Sequence, residues 1–287
     1  MRLVAVACFL DEERHLPMLL ASIAAQERPP DRLLLVDDGS TDGSPALAEA
    51  FAREHRYATA LRRPVRSVTA DRLAEANELR AFTWALETLD EPWDVAGKLD
   101  ADLRLAPTTL ASIEARFTAE PQLGIAGPPL LSIDDEGQDV SHRTRPEHVE
   151  GATKFYRRAC LEEIGPLPPI LGWDTIDEIR ARMRGWATEG AIGEEPVVHL
   201  RPMGAHDGMA RAFRRWGACA YGYGEHPLHV LLIALRRMRE RPRVVGGVSY
   251  LAGWAVAGVR RAPRAEPELR AYARRDQLRR IAARLRG

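Results

Sequence analysis

Leu33-Leu34-Leu35-Val36-Asp37-Asp38-Gly39-Ser40-Thr41-Asp42-Gly43-Ser44 carries four aliphatic residues straight into a polar turn. A short apolar run bounded by turn residues reads as a buried strand, and Asp, Gly and Ser are the residues that tight turns select. Pro45 then suits the first turn of a helix. The same alternation recurs on both sides. Leu3 to Phe9 reads as a buried strand, and Leu16, Leu19, Leu20 and Ile23 follow at helical spacing. Leu79, Phe82, Thr83 and Leu86 mark a further helix face. Val95 to Leu99 is a strand that runs into Asp100-Ala101-Asp102, and Leu110, Ile113 and Phe117 mark the helix after it. Strands alternating with helices predict an α/β fold whose mostly parallel sheet is covered on both faces. Ligands of such sheets bind at the carboxyl ends of the strands. Both acidic clusters follow strands and are expected on that edge.

Further along, Glu150 to Arg157 and Pro196 to Leu200 read as strands. Ile176, Ile179 and Met183 mark a short helix ending at Gly185. From Gly208 the chain reads as helical, with breaks at Pro227 and Pro242, and Pro267 to Arg286 is a charged helix or a frayed tail. This divides the chain into an α/β domain over 1–205 and a helical, basic extension over 206–287. Of the 287 residues, 45% are apolar, which excludes wholesale disorder. The net charge is zero but unevenly placed: Arg201 to Gly287 holds 19 basic and 6 acidic residues. A basic tail suits an anionic surface, although only two of the basic residues are lysines, so arginine richness is a property of the whole chain. Cys8, Cys160 and Cys219 form no CxxC pair, which argues against a disulfide framework or zinc site and for a reducing cytoplasm. Met1 leads straight into an apolar strand, with no signal-peptide pattern.

Two clusters carry chemistry. The carboxylates of Asp37-Asp38 can accept hydrogen bonds from a base and a ribose, and Gly39 lets the backbone pass close to a ligand; a solvated turn is the plain alternative. In Asp100-Ala101-Asp102, strand alternation puts both carboxylates on one side. Neighbouring carboxylates repel unless a cation joins them, and Mn²⁺ or Mg²⁺ takes oxygen ligands and bridges to diphosphate.

Taken together with Phe9-Leu10-Asp11-Glu12-Glu13-Arg14-His15-Leu16-Pro17, these clusters resemble family 2 glycosyltransferases of the GT-A fold over about residues 1 to 200. The resemblance implies a Rossmann-like mixed, mostly parallel sheet, a nucleotide-diphosphate-sugar donor, a divalent metal and inversion at the anomeric carbon. It sets Cys8, Phe9, Leu10, Glu12, Asp38 and Asp100 at the nucleotide, Asp102 at the metal and Gly151 beneath the donor sugar. The family's tyrosine in the loop after the first strand is absent here. Trp173-Asp174 stands where the family carries Glu-Asp, which makes Asp174 the candidate base for a hydroxyl acceptor (glycan, lipid-linked or small molecule), with Asp177 one turn on in reserve. Helix capping is the plain role for Asp174, and it is compatible with catalysis. His199 resembles a further metal ligand, with His206 competing for the role, and a structural histidine is the alternative. The acidic, glycine-free loop at Phe9 to Leu16 argues against a nucleotidyltransferase, and the three aspartates argue against a non-catalytic nucleotide-binding module. Dinucleotide chemistry would need a GxGxxG after the first strand.

His229 to Leu235 and Val244 to Val259 are apolar and bracketed by arginines. The 16 uncharged residues of the second run fall short of a bilayer span. Two readings stay open: peripheral contact with the inner face of the cell membrane, or packing surface. Nucleic acid is not expected as a partner.

Overall fold

The computed structural model describes residues 1–64, 76–133, 138–139, 146–201, 208–239 and 243–286. His206 and Pro242 lie outside them. In chain order the elements are β1 (Leu3–Phe9), α1 (Leu16–Ala24), β2 (Arg32–Asp37), α2 (Ser44–Glu54), β3 (Ala58–Arg62), α3 (Asn77–Glu87), β4 (Val95–Asp100), β5 (Leu103–Arg104), α4 (Thr109–Ala119) and β6 (Leu123–Ala126). There follow β7 (Leu130–Ser132), β8 (Thr153–Arg157), α5 (Arg158–Ile164), α6 (Trp173–Met183), β9 (Ala187–Glu189), β10 (Val197–His199), α7 (Met209–Gly222), α8 (Pro227–Arg237), α9 (Val245–Val259) and α10 (Pro267–Arg286).

The chain forms two compact units. The first comprises Met1–Asp174 and Arg184–Pro202, the second Thr175–Met183 and Met203–Gly287. The second unit therefore takes in most of α6, which the sequence division at 205/206 leaves with the α/β domain.

Unit 1 is built on a seven-stranded sheet of order β3-β2-β1-β4-β8-β6-β9. β1 pairs in parallel with β2 and β4, and β2 with β3, whereas β8 runs antiparallel to both β4 and β6. The sheet is mixed and mostly parallel, as expected. β1 is buried along its whole length because both faces are covered. Leu3, Ala5, Ala7 and Phe9 point into a core with Leu16, Leu19 and Ile23 of α1 and Leu110, Ile113 and Phe117 of α4. On the opposite face Tyr156 of β8 meets Phe82 of α3, ring centroids 5.9 Å apart. A smaller sheet, β5-β10-β7, branches off after β4.

Register sets the active edge. Phe9 pairs with Asp37, and Cys8 with Asp100. The carboxyl ends of β2, β1 and β4 thus lie side by side where the sheet order reverses, the place at which open α/β sheets bind ligands.

Unit 2 is helical. Glycines let its helices approach at backbone distance: a Cβ on Gly217 of α7 would lie 1.9 Å from the Tyr250 carbonyl oxygen, and one on Gly253 of α9 1.9 Å from that of Arg214. On the α8 side, a Cβ on Gly247 would lie 2.3 Å from the Ala234 oxygen. The glycine-bearing side of the uncharged run Val244 to Val259 is thus packing surface for α7 and α8. Among the described residues no helix is long and apolar enough to cross a membrane. Within this core Tyr250 donates to Glu225 at 2.6 Å, and the Arg237 guanidinium lies 4.4 Å from the Trp216 ring centroid.

Candidate active site

Two loops frame the edge and are tied to each other. After β2, one Asp37 oxygen accepts the backbone N–H groups of Gly39 (3.1 Å) and Ser40 (2.7 Å), and Gly39 takes φ 99°, open to glycine at no steric cost. The loop after β1 bonds across to it. The Asp11 N–H donates to Ser40 Oγ (3.0 Å), the Thr41 N–H to Asp11 (2.7 Å), the Glu13 N–H to Asp42 (3.0 Å) and the Gly43 N–H to Glu13 (3.1 Å). Acidic side chains in this loop are therefore partly structural.

Of the residues expected at the nucleotide, Cys8 and Phe9 are buried at the end of β1, Leu10 is half-buried, and Asp38 is 3% exposed. Burial pushes the Cys8 thiol far above its usual range, so the thiol stays protonated. Asp38 accepts a 2.5 Å hydrogen bond from Arg63. Glu12 is held by Arg201 and, at 2.9 Å, by His15.

The second acidic cluster branches. Asp100 lies on the α3 face of the sheet with Lys98, because residues two apart on a strand share a face. The fully buried Lys98 ammonium donates to Asp100 and, at 2.9 Å, to the Gly151 carbonyl. Burial works against its charge, but Asp100 and Glu78 outweigh that and raise its pKa. Glu78 is itself pushed up by burial, with Lys98 opposing, and it accepts a 3.3 Å bond from the Trp173 indole. Burial, together with the nearby Asp102 charge, pushes the Asp100 carboxyl up against the pull of Lys98. Asp102 has other partners. One of its oxygens lies 3.2 Å from His199 Nε2 and 3.2 Å from Arg201 Nε. Burial would raise the Asp102 pKa, but the His199 hydrogen bond and the Arg201 charge pull it below the carboxylate norm. His199 is raised in return, against its own burial. β10 brings His199 there through its pairing with Leu103 of β5, one residue beyond Asp102.

Gly151 and Asp174 meet: a Cβ at Gly151 would lie 3.2 Å from Asp174 Oδ2, so a larger residue would press on the carboxylate. Asp174 sits in the first turn of α6, half-buried, and its carbonyl accepts from Lys154. Lys98 and Lys154 pair in register across β4 and β8, and each ammonium is 5.7 Å from the Trp173 ring centroid. Asp177 is fully buried in unit 2, unlike Asp174. A hollow of about 790 Å³ lined by Leu86, Trp93, Arg158 and Leu161 contains none of these groups.

Sequence reasoning missed Arg201, Arg63, Glu78 and the roles of both lysines. The lysines had a signal: they are the only two in a chain with 41 basic residues. Among the described residues no three His, Cys, Asp or Glu side chains cluster as a ready metal cage. Asp102 and His199 nonetheless offer an oxygen and a nitrogen of the kinds Mn²⁺ and Mg²⁺ accept. They fit an open site in which diphosphate and water supply the remaining ligands.

The chain is 30% identical over 209 residues to the O-antigen biosynthesis protein RfbC of Myxococcus xanthus, a match covering 66% of this chain and 15% of that protein. The chain therefore spans only a small part of that relative's length. Among solved structures, the mannosyltransferase PcManGT of Pyrobaculum calidifontis, in complex with GDP-Man and Mn²⁺, superposes with a TM-score of 0.55 at 20% identity, over 99% of this chain and 80% of that one. S. aureus TarS 1-349 gives 0.54 at 14% identity, over 91% of this chain and 73% of its own. Both share the fold. Residues 4–169 match the family described as Glycosyl transferase family 2. With that match spanning more than half of its 287 residues, the chain belongs to glycosyl transferase family 2.

Proposed function

We propose that the chain transfers a glycosyl group, with inversion, from a nucleoside-diphosphate sugar to a hydroxyl acceptor. The observation that carries this is the meeting of Asp102 and His199 at 3.2 Å on the carboxyl edge of the sheet, beside the tied loops of β1 and β2. In this reading the loop ends at Cys8, Phe9, Leu10, Glu12 and Asp38 bound the nucleoside, and Asp100 approaches the ribose or sugar. Gly151 leaves room for the sugar beneath Asp174. Asp102 and His199 would hold Mn²⁺ or Mg²⁺, which would supply positive charge to offset that of the nucleoside diphosphate. The Asp174 carboxylate takes the proton of the acceptor hydroxyl as its oxygen bonds to the anomeric carbon. The bond from that carbon to the diphosphate breaks, and the electron pair leaves with the nucleoside diphosphate. Lys98 and Lys154 position this centre through Asp100, the Gly151 carbonyl and the Asp174 carbonyl.

The likeness to an O-antigen biosynthesis protein favours a role in polysaccharide, glycolipid or other cell-envelope glycan synthesis. The neighbours differ in nucleoside, GDP-Man for PcManGT and UDP-GlcNAc for TarS, so both donor types belong in any test. In this reading the protein works in the cytoplasm, in peripheral contact with the inner face of the cell membrane.

The reading is tested by thermal unfolding with nucleoside diphosphates. A ligand held only by the folded state raises the midpoint. UDP or GDP should do so when Mn²⁺ is present, and Asp102→Asn should remove most of the Mn²⁺-dependent part. No stabilisation by any nucleoside diphosphate with Mn²⁺ would contradict the reading.

A further inference from the structure

We propose that unit 2 docks on an anionic phospholipid surface through the outer side of α8 and the start of α9. Surface helices ordinarily turn a charged stripe to water. α8 does not. Val230 and Ala234 are buried, while Leu228, Leu231, Leu232 and Leu235, at the i, i+3, i+4, i+7 spacing of its other side, are each 43–45% exposed. The start of α9 continues the patch with Val244, Val245 and Val248, all exposed. The Val244 N–H donates to the Met238 carbonyl at 3.0 Å and joins the ends of the two helices. Val244 does so at φ 65°, a left-handed conformation that β-branched residues rarely adopt. The turn holds a strained apolar side chain in solvent.

Charge selects the occupant. From His226 to Val248, the stretch that carries this face, the sequence contains five arginines and a single acid, Glu240. Arg236, Arg239 and Arg243 are exposed beside the leucines and valines. The chain as a whole carries 41 basic and 41 acidic residues, so this shortage of acids is local. It is also independent of the chain's preference for arginine over lysine, which exchanges one cation for another. A second copy of the same face would bring arginines to arginines with almost no carboxylate to offset them. An anionic bilayer interface offers phosphates to the guanidiniums and an apolar layer to the leucines. The 11 residues of α8 are too few to cross a bilayer, so the helix lies in the interface. The proposal deepens the membrane contact proposed above and rests on it, but it needs nothing from the glycosyl-transfer chemistry.

The test is flotation of the full chain with vesicles of equal phosphatidylcholine and phosphatidylglycerol, against phosphatidylcholine alone. The wild type should float with the anionic vesicles and not with the neutral ones. The double change Leu231→Glu with Leu235→Glu should lower partitioning about tenfold or more. Arg236→Gln, Arg239→Gln and Arg243→Gln together should weaken it most at low salt, where the attraction they supply is least screened. Circular dichroism and sedimentation mass establish that the variants, changed only at exposed positions, remain folded. Equal flotation of the leucine variant and the wild type would overturn the assigned surface while leaving membrane contact intact. A wild type that binds no anionic vesicle even at low salt would overturn both. A dimeric wild type made monomeric by the leucine changes would identify a second copy as the occupant and also overturn the proposal. Nucleotide binding is measured separately, so its absence would count against glycosyl transfer alone.

Discussion

Asp174 is half-buried, stands against Gly151 and lies in the first turn of a helix, where its charge is also favourable to the helix dipole. A structural and a catalytic role can be separated because Asn supports a helix start about as well as Asp but does not accept a proton at neutral pH. Asp174→Asn should therefore leave the unfolding midpoint and donor binding nearly unchanged and lower transfer to the acceptor by about 10² to 10⁴-fold. Near-normal transfer would make Asp174 structural. Asp177, fully buried in unit 2, is the control, and a larger transfer loss at Asp177 than at Asp174, with folding intact, would move the base one turn along α6. Asp38, Asp100 and Asp102 stood out in the sequence because each ends or follows a strand, and Asp174 because it opens a helix. Arg201 did not. Its partner Glu12 lies 189 residues away, and no local pattern announces a contact of that range. Lys98 and Lys154 were legible only as a rarity, since their meaning comes from the antiparallel pairing of β4 with β8.

At the scale of elements, long apolar runs read correctly: β1, β2 and β4 are buried strands because helices cover both sheet faces. β3 reads Ala-Thr-Ala-Leu-Arg, mostly half-exposed at the sheet edge, and offers neither an apolar run nor clean alternation. The three-residue strands β7 and β9 are too short to signal themselves. α9 shows what composition leaves open. An uncharged helix suits a membrane interface and equally the middle of a helical unit, and α9 has a side for each: its glycines pack against α7 and α8, while Val244, Val245 and Val248 at its start are exposed. Gly253→Ala would set a methyl 1.9 Å from the Arg214 carbonyl oxygen. It should destabilise unit 2 by about 1–3 kcal/mol through overpacking. Gly258→Ala meets only the Tyr221 ring at 3.4 Å and should be neutral or slightly stabilising, because Ala favours helix over Gly. Denaturant unfolding of the two variants checks this, and equal midpoints would contradict the packing account.

At the scale of the whole molecule, the two units differ in what they carry. Unit 1 carries the sheet edge, the tied loops and the Asp102–His199 pair. Unit 2 carries a glycine-packed helical core and the arginine-flanked leucine face. Fold class was legible from alternation alone, whereas the joining of Thr175–Met183 to the second unit was not, since one unbroken helix reads as belonging to one domain. The central claim is that this chain moves sugar from a nucleoside diphosphate. It is tested most directly by incubating the full chain with UDP- and GDP-linked sugars and a panel of hydroxyl acceptors and following nucleoside-diphosphate release. The account predicts release with at least one donor in Mn²⁺, increased by an acceptor and abolished by EDTA. Turnover that is undiminished in EDTA would remove the metal from the mechanism, and no release from any donor, acceptor and metal combination would contradict the claim itself.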